Sequence, residues 1–289
     1  MPQPRKTFLI GAGCQKGGTT WLYNHLKKSR EFSHGYRKEY HVFDSLDLPS
    51  EDWMRQRILR QAEQAVAAAQ RGEKADAEVL HRASMYADPE LYYDYFTGLL
   101  RRAPRFRAAA DLTPDYAMLP ADRFRHVRDG FEARGVRTVS VFLMRDPVER
   151  TWSQIRMQAD RAPDRFSIPT EQVLAEQHAE PVYELRSHYG DTIAALDAVF
   201  APEDLHYGFY ESLFSDDSVR AITDLLGMEP VEPDLGTRRN SSTRPTSRLP
   251  EDVAQQVARH YAGTYRAVAE RFPDVDLLTL WPHSRHVLD

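Results

Sequence analysis

The chain has 289 residues, of which 42% are hydrophobic and 28% charged, and its formal net charge is -5 at pH 7. The length suits a single α/β domain with a substantial core, and the negative charge argues against a general nucleic-acid-binding protein. No apolar run reaches the roughly 20 residues of a membrane-spanning helix, and the N-terminus lacks the long apolar region of a secretory signal. We therefore expect a cytoplasmic protein with no integral membrane segment. These properties do not predict an oligomeric state.

The first third of the chain alternates between strand and helix signals. Residues 7–10 form a short apolar run that predicts a strand, and a glycine-rich turn follows it. From Thr19 the apolar residues recur at helical spacing, with Thr19 or Thr20 expected to cap the helix. Further helices are predicted over residues 51–72, which are rich in Ala, Gln, Glu and Arg, and over residues 89–102, which have an aromatic face.

The rest of the chain continues this alternation. Residues 107–110 predict a short buried strand, and the apolar residues Val139, Val141, Phe142 and Leu143 within 136–144 predict a central parallel strand covered on both faces. The remaining expected elements are a helix at 148–159, a strand at 205–209, a helix at 219–226, a long helix at 251–271, and loops at 159–170 and 230–250. Strands that alternate with helices indicate an α/β fold with a mostly parallel central sheet flanked by helices.

The glycine turn carries the strongest functional signal. Such a turn between a buried strand and a helix presents backbone N–H groups to an anion, and the helix dipole adds to the attraction. Gly13 and Gly18 have the spacing of a nucleotide P-loop, but Thr19 and Thr20 stand where an NTPase has its lysine and hydroxyl residue. The lysine is instead Lys16, inside the turn, which favours a shorter, metal-free anion. A turn that only permits tight strand–helix packing is the alternative.

The run Lys16-Gly17-Gly18-Thr19-Thr20-Trp21 resembles the 5′-phosphosulfate loop of the sulfotransferase superfamily. The resemblance implies a P-loop-like three-layer fold. It also implies that these six residues bind the sulfonyl donor 3′-phosphoadenosine 5′-phosphosulfate (PAPS), which leaves as adenosine 3′,5′-bisphosphate (PAP), with no metal. Lys16 would stabilise the charge that develops on the leaving phosphate.

A second block follows the strongest strand. Arg145 lies at the end of that strand and Ser153 eight residues later on the expected helix, so both could reach one phosphate at the strand ends where α/β sheets bind ligands. The block from Arg145 to Ser153 resembles the segment that holds the 3′-phosphate in sulfotransferases. Arg145 in a surface ion pair is the alternative. The family often closes the nucleotide with a basic loop, which would correspond here to Arg238 and Arg239, although a solvated loop fits them equally well.

The third segment runs from Lys38 to Asp44. Alone it predicts a charged turn beside an apolar strand, but it resembles the Lys-Glu-x-His-x-Phe-Asp segment of the heparan-sulfate glucosaminyl 3-sulfotransferases, and related N-sulfotransferases keep its Lys-Glu pair. The resemblance implies Glu39 as the general base, with Lys38, His41 and Asp44 in supporting roles. His41 is the rival base, because the ordinary pKa of histidine suits proton transfer near neutrality.

A fourth segment bears on the acceptor. The run from Asp111 to Tyr116 resembles a block of the glycan enzymes that reads acid-Lys-Ser/Thr-Pro-x-Tyr, which suggests that Asp111 and Thr113 contact the acceptor. Leu112 replaces the family's lysine, and this puts a sulfated glycan acceptor in doubt. A glycan, a lipid and a small metabolite all remain open, as does the choice between O- and N-sulfation.

The resemblance covers nearly the whole chain and implies one domain over residues 1–289. Residues 50–105 would be a helical insertion, with 72–87 as lineage-specific filler, and residues 236–289 would close the nucleotide site. The 11 histidines are scattered and Cys14 is the single cysteine, so no metal site is expected. The competing hypotheses are a P-loop kinase or NTPase that uses ATP and Mg²⁺, and a nucleotide-binding regulatory domain without catalysis.

Overall fold

A computed structural model describes residues 5–232 and 249–288 of the chain and builds them on a parallel sheet. The strands of this described part are β1 (Thr7–Gly11), β2 (Phe32–Ser33), β3 (Ala108–Asp111), β4 (Arg137–Met144) and β5 (Leu205–Phe209). Their order in the sheet is β2-β3-β1-β4-β5, and each neighbouring pair is parallel. The predicted α/β fold with a parallel central sheet is confirmed.

Helices flank this sheet. In chain order they are α1 (Thr19–Leu26), α2 (Phe43–Asp47), α3 (Asp52–Gln70), α4 (Ala77–Ala87), α5 (Glu90–Arg101), α6 (Ala121–Glu132), α7 (Pro147–Arg161), α8 (Thr170–Gln177), α9 (Pro181–Glu184), α10 (Tyr189–Asp197), α11 (Asp216–Leu225), α12 (Glu251–His260), α13 (Ala262–Arg271), α14 (Leu277–Leu280) and α15 (Arg285–Leu288). No helix of the described residues is both long and apolar enough to cross a bilayer.

The central strands are buried on both faces, as their continuous apolar runs predict. Along β1, Phe8 and Ile10 belong to one hydrophobic cluster, whereas Leu9 between them belongs to the cluster on the other face. The same alternation separates Phe142 of β4 from its neighbour Leu143. This two-residue period is that of side chains along a strand, and it gives the sheet a core on each side.

Several elements lie where none was expected, among them β2, α4, α6, α8 and α10. β2 has only two residues, too few to produce a recognisable pattern. Residues 72–87, interpreted as filler, contain α4, whose N-cap Asp76 accepts hydrogen bonds from the backbone N–H groups of Glu78 and Val79. Val42 has helical backbone angles and leads directly into α2.

Three helix boundaries were wrong, including the start of α11, which begins at Asp216 and not at 219. α7 runs through the start of the loop expected at 159–170, because nothing interrupts it before Pro163, which disfavours helical backbone at Ala162. The single helix expected at 251–271 is two helices, α12 and α13, which meet at Tyr261. Tyr261 is buried, and its hydroxyl donates to the His178 carbonyl at 2.8 Å, which fixes the chain at this junction.

Candidate active site

The sheet topology brings the ends of three strands together. β1 lies between β3 and β4, with Ile10 opposite Asp111 and Gly11 opposite Val141. Because the strands are parallel, the segments that follow them leave the same edge of the sheet, where α/β proteins bind ligands. The glycine turn after β1 is therefore beside the residues that follow Asp111 and beside Arg145, which follows β4.

The glycine turn packs tightly against β4. The N–H of Cys14 donates to the Leu143 carbonyl at 2.8 Å, and a side chain at Gly17 would bring a Cβ within 2.5 Å of that carbonyl oxygen. Lys16 and Gly18 have positive φ angles of 68° and 96°. Only glycine fits at position 17, and Gly18 takes a left-handed conformation that other residues adopt rarely.

The start of α1 is suited to an anion. Its N-cap is Gly18, which provides no side-chain hydrogen bond to the first turn, and that turn holds no acidic residue. The backbone N–H groups of a helix's first turn lack partners within the helix, and the helix dipole places partial positive charge there. Trp21 is nearly buried and stacks on His25, so it anchors the first turn to the rest of the helix.

Lys38 connects this turn with the 38–44 segment. Its Nζ donates to the hydroxyl oxygens of Thr19 and Thr20, at 3.0 Å each, and lies 2.6 Å from Oε1 of Glu39. The backbone carbonyl of Lys38 accepts a 2.9 Å hydrogen bond from Leu112, directly after β3. One ammonium group thus joins both hydroxyls of the turn to the Glu39 carboxylate.

Glu39 and His41 carry opposite charges near neutral pH. Burial raises the pKa of Glu39, but hydrogen bonding from His41 and the Lys38 ammonium outweigh this effect and lower its pKa to about 2. Burial lowers the pKa of His41, but the hydrogen bonds to Asp44 and Glu39 outweigh it and raise the pKa to about 10. The Nδ1 atom of His41 is 2.6 Å from Oδ2 of Asp44, and its Nε2 is 3.5 Å from Oε2 of Glu39.

His41 contacts a buried network of ion pairs formed by Asp115, Arg186 and Glu51. Asp115 approaches Nδ1 of His41 at 3.8 Å, and Arg186 donates to both Asp115 and Glu51 at 2.7 Å each. The sequence predicts no metal site, yet His41, Asp44 and Asp115 place ligand-type atoms within 4.8 Å of one another. In the described arrangement these atoms are engaged with each other and with Arg186, so the trio forms part of an ion-pair network.

Asp111 and Thr113, expected at the acceptor, lie inside the protein. Both are fully buried, and Asp111 accepts hydrogen bonds from the backbone of Tyr40, from Thr113 and from the hydroxyls of Tyr92 and Tyr116, all between 2.6 and 3.2 Å. Thr113 accepts from the backbone N–H of Tyr40 and of the following residue. These bonds fix the backbone directly after the catalytic candidate, Glu39.

Asp44 also has no exposed surface. It therefore has none to offer to an acceptor, and neither do Asp111 and Thr113. In the described structure the three side chains position the 38–44 segment.

Arg145 lies beside the glycine turn. It donates to the Lys16 carbonyl and to Glu149, at 3.4 Å each, and its guanidinium lies 4.4 Å from the ring centre of Tyr210. Its Nε is buried without a hydrogen-bond partner among the described residues. Ser153 is half-buried on α7. Arg145 therefore has an unused N–H donor, its Nε, close to the glycine turn.

Sequence reasoning missed two further cations on α7, Arg156 and Arg161, whose charges act on Lys16. Burial lowers the pKa of Lys16 to about 8, helped by the positive charges of Arg145, Arg161 and Arg156. Arg156 lies three residues after Ser153, on the same helix face, and its Nε is also buried without a partner among the described residues. The spacing from Ser153 is a signal that could have identified it. Arg238 and Arg239, expected to close the site, lie outside the described residues.

Comparison with solved structures shows which proteins share this fold. The model aligns with a sulfotransferase from Alicyclobacillus acidocaldarius at a TM-score of 0.59 and 19% identity, over 92% of this chain and 95% of that one. The chain has the fold of this sulfotransferase.

Two other similar structures are a sulfotransferase domain of the Synechococcus olefin synthase and a sulfotransferase from Mycobacterium avium. The first has 18% identity, a TM-score of 0.43 and coverage of 90% of this chain and 96% of that one. The second has 15% identity, a TM-score of 0.46 and coverage of 96% and 78%. No protein-family model and no curated protein matches the chain.

Proposed function

We propose that the protein is a sulfotransferase that transfers a sulfonyl group from PAPS to a hydroxyl or amine acceptor. The observation that carries the proposal is the shared ammonium of Lys38, which contacts the hydroxyls of Thr19 and Thr20 and the carboxylate of Glu39. This contact supports the proposal because it brings a carboxylate close to the glycine turn, and transfer from an anionic donor requires a proton acceptor beside the site of the anion.

The residues around the turn fit the donor. Lys16 and the backbone of Gly17 to Trp21 would hold the 5′-phosphosulfate, where the start of α1 lacks a side-chain cap. Arg145 and Ser153 would hold the 3′-phosphate, and the unpartnered Nε of Arg145 supports this assignment. Arg238 and Arg239 remain candidates for closing the nucleotide site. When bound, the donor supplies a sulfonyl group attached to a phosphate leaving group.

Glu39 is the general base of the proposal. Its carboxylate takes the acceptor's proton while the acceptor oxygen or nitrogen bonds to sulfur, and the sulfur–oxygen bond to the donor phosphate breaks with its electron pair on that phosphate. Lys16 stabilises the resulting charge. His41 is a poor base because, with a pKa raised to about 10, it already carries a proton near neutrality.

The low pKa of Glu39 reflects the hydrogen bond from His41 and the ammonium of Lys38, which both stabilise the carboxylate. An anion in the glycine turn would compete for the same ammonium, because Lys38 also contacts Thr19 and Thr20. Withdrawal of Lys38 would raise the pKa of Glu39 and make it a stronger base. In this mechanism, occupation of the donor site activates the base.

The substitution Glu39→Gln tests the proposal. We expect turnover with PAPS to fall by roughly two orders of magnitude or more, because the amide cannot accept the proton. PAP binding, measured by calorimetry, should survive. Near-normal turnover would remove Glu39 from this role.

A thermal-shift comparison separates the proposal from the NTPase alternative. PAP should raise the melting temperature of the protein without a metal, and ATP with Mg²⁺ should raise it by less. The NTPase alternative would be favoured by the reverse result.

A further inference from the structure

A cleft of about 530 Å³ opens beside Glu39, between α3, α4 and the segment that precedes Tyr40. This volume is typical of small-molecule sites. Glu39 and His41 lie in its wall together with three arginines, Arg37, Arg57 and Arg82. The cleft therefore combines the proposed base with an unusual concentration of positive charge.

Arg82 is the most constrained of the three arginines. It is only 6% exposed, and its Nε donates to the backbone carbonyl of Tyr40, between Glu39 and His41. Its Nη2 is buried without a hydrogen-bond partner among the described residues. Burial lowers the pKa of Arg82, and the neighbouring charge of Arg37 adds to the effect. Two guanidinium groups are thus held near each other at the cleft.

None of the three arginines has a carboxylate within 4.0 Å in the parts of the chain that the structure describes. The two acidic groups of the cleft are engaged elsewhere. Asp76 accepts the backbone N–H groups that begin α4, and Glu39 is paired with Lys38 and His41. A buried charge without a counter-ion is costly, and a bound anion would offset that cost.

We propose that the acceptor is an anionic small molecule whose carboxylate, phosphate or sulfate group binds Arg82 and Arg37. Arg57 is exposed at the rim and would add attraction. This inference rests on the proposed function: the acceptor's hydroxyl or amine lies at Glu39, gives its proton to that carboxylate and forms the new bond to sulfur. The anionic group is unchanged by the reaction and serves to orient the acceptor.

Matched acceptor pairs that differ in one charge test this inference. Suitable pairs are 4-hydroxyphenylacetate with 4-hydroxyphenylacetamide, methyl glucuronide with methyl glucoside, and glycerol phosphate with glycerol, each assayed with PAPS by PAP release. We expect the charged member to have a kcat/KM at least about tenfold higher, since hydrogen bonds to charged partners are the stronger kind. Equal rates within each pair would overturn the inference.

Three variants locate the effect. Arg82→Gln should remove most of the preference by raising KM for the charged member, and Arg57→Gln, at an exposed position, should weaken it without disturbing the fold. Arg105→Gln is the matched control, because Arg105 is exposed and lines a separate cleft. The inference is wrong if Arg82→Gln lowers kcat/KM equally for both members of a pair and Arg57→Gln changes kcat/KM for neither. The arginines would then not distinguish a charged acceptor from an uncharged one.

Selenate soaked into crystals gives a readout that needs no turnover. We expect an anomalous peak beside Arg37 and Arg82 that is lost in Arg82→Gln. A peak confined to Lys16 and Arg145 would support the donor site and overturn the anionic acceptor. A peak at Arg82 with none at Lys16 would support the anion site and count against the proposed PAPS site.

Discussion

The affinity for PAP should depend on the protonation of Lys16. Burial lowers the pKa of Lys16 to about 8, with the charges of Arg145, Arg161 and Arg156 acting in the same direction and Asp160 opposing them. An anionic 5′-phosphate would favour the ammonium form, so it would raise this pKa in the complex. Binding should therefore weaken as the free protein loses the Lys16 proton.

The magnitude follows from the pKa of the free protein. With a value of about 8, the protonated fraction of Lys16 falls from about nine-tenths at pH 7 to about one-tenth at pH 9. PAP affinity should thus decrease about tenfold between these pH values, with little change below pH 7. If the pKa of Lys16 were at its ordinary 10.5, the same interval would bring almost no change.

Calorimetric titration of PAP at pH 6.5, 7, 8 and 9 measures this dependence. Lys16→Arg is the matched control, because a guanidinium remains charged throughout the range, and its affinity should stay nearly constant. Other groups near the turn, including Glu149 and His283, titrate alike in both proteins and cancel in the comparison. A decrease of the same size in Lys16→Arg, or none in the native protein, would refute the reasoning.

Three further predictions concern the surroundings of the site. The pKa of His41 is raised to about 10, so its proton contributes stability that is fully present below the unfolded pKa of about 6.5 and is lost as the pH rises towards 10. Urea unfolding should show this loss, and the free energy of unfolding of His41→Gln should depend less on pH over the same range. Arg145→Ala should weaken PAP binding by about tenfold or more, and an unchanged calorimetric affinity would reject its 3′-phosphate assignment. Trp281→Ala should cost about 3–5 kcal/mol of unfolding free energy in urea, because Trp281 is fully buried and donates to Glu211 at 3.0 Å; a loss below about 1 kcal/mol would contradict this.

The central sheet was predictable because its longer strands are rich in apolar residues and lie close to glycine or proline. β5 has the predicted bounds, and β1, β3 and β4 differ from the prediction by a single residue at one end or both. β2 was not predictable, because two residues carry no periodicity and it exists only through pairing with β3. α4 had a usable signal in its N-cap Asp76, but residues 72–87 were interpreted as lineage-specific filler.

Part of the candidate site could likewise be predicted from the sequence, and part could not. Lys16 and Arg145 follow apolar strands, so their position at one sheet edge could be predicted from the sequence. The contact of Lys38 with Thr19 depends on how two distant segments pack, and no local pattern encodes it. Asp111 shows a related limit: a polar residue in a family-like block was expected at the acceptor, whereas it is fully buried and accepts from the backbone N–H of Tyr40 and from three hydroxyl groups. The type of a residue alone does not show whether its side chain contacts a ligand or hydrogen-bonds neighbouring groups of the protein.

The net charge of -5 conceals two local concentrations of positive charge. One surrounds the glycine turn, where Arg156 joins Lys16 and Arg145, and the other lines the cleft around Arg82. The Lys38–Glu39 pair lies between them, since Lys38 contacts the turn and Glu39 lines the cleft. Electrostatic attraction decays over about 8 Å at physiological salt, so a bound anion responds to these nearby cations more than to the distant acidic surface. The same argument makes the glycine turn and the cleft beside Glu39 attractive to anions in a protein that is acidic overall.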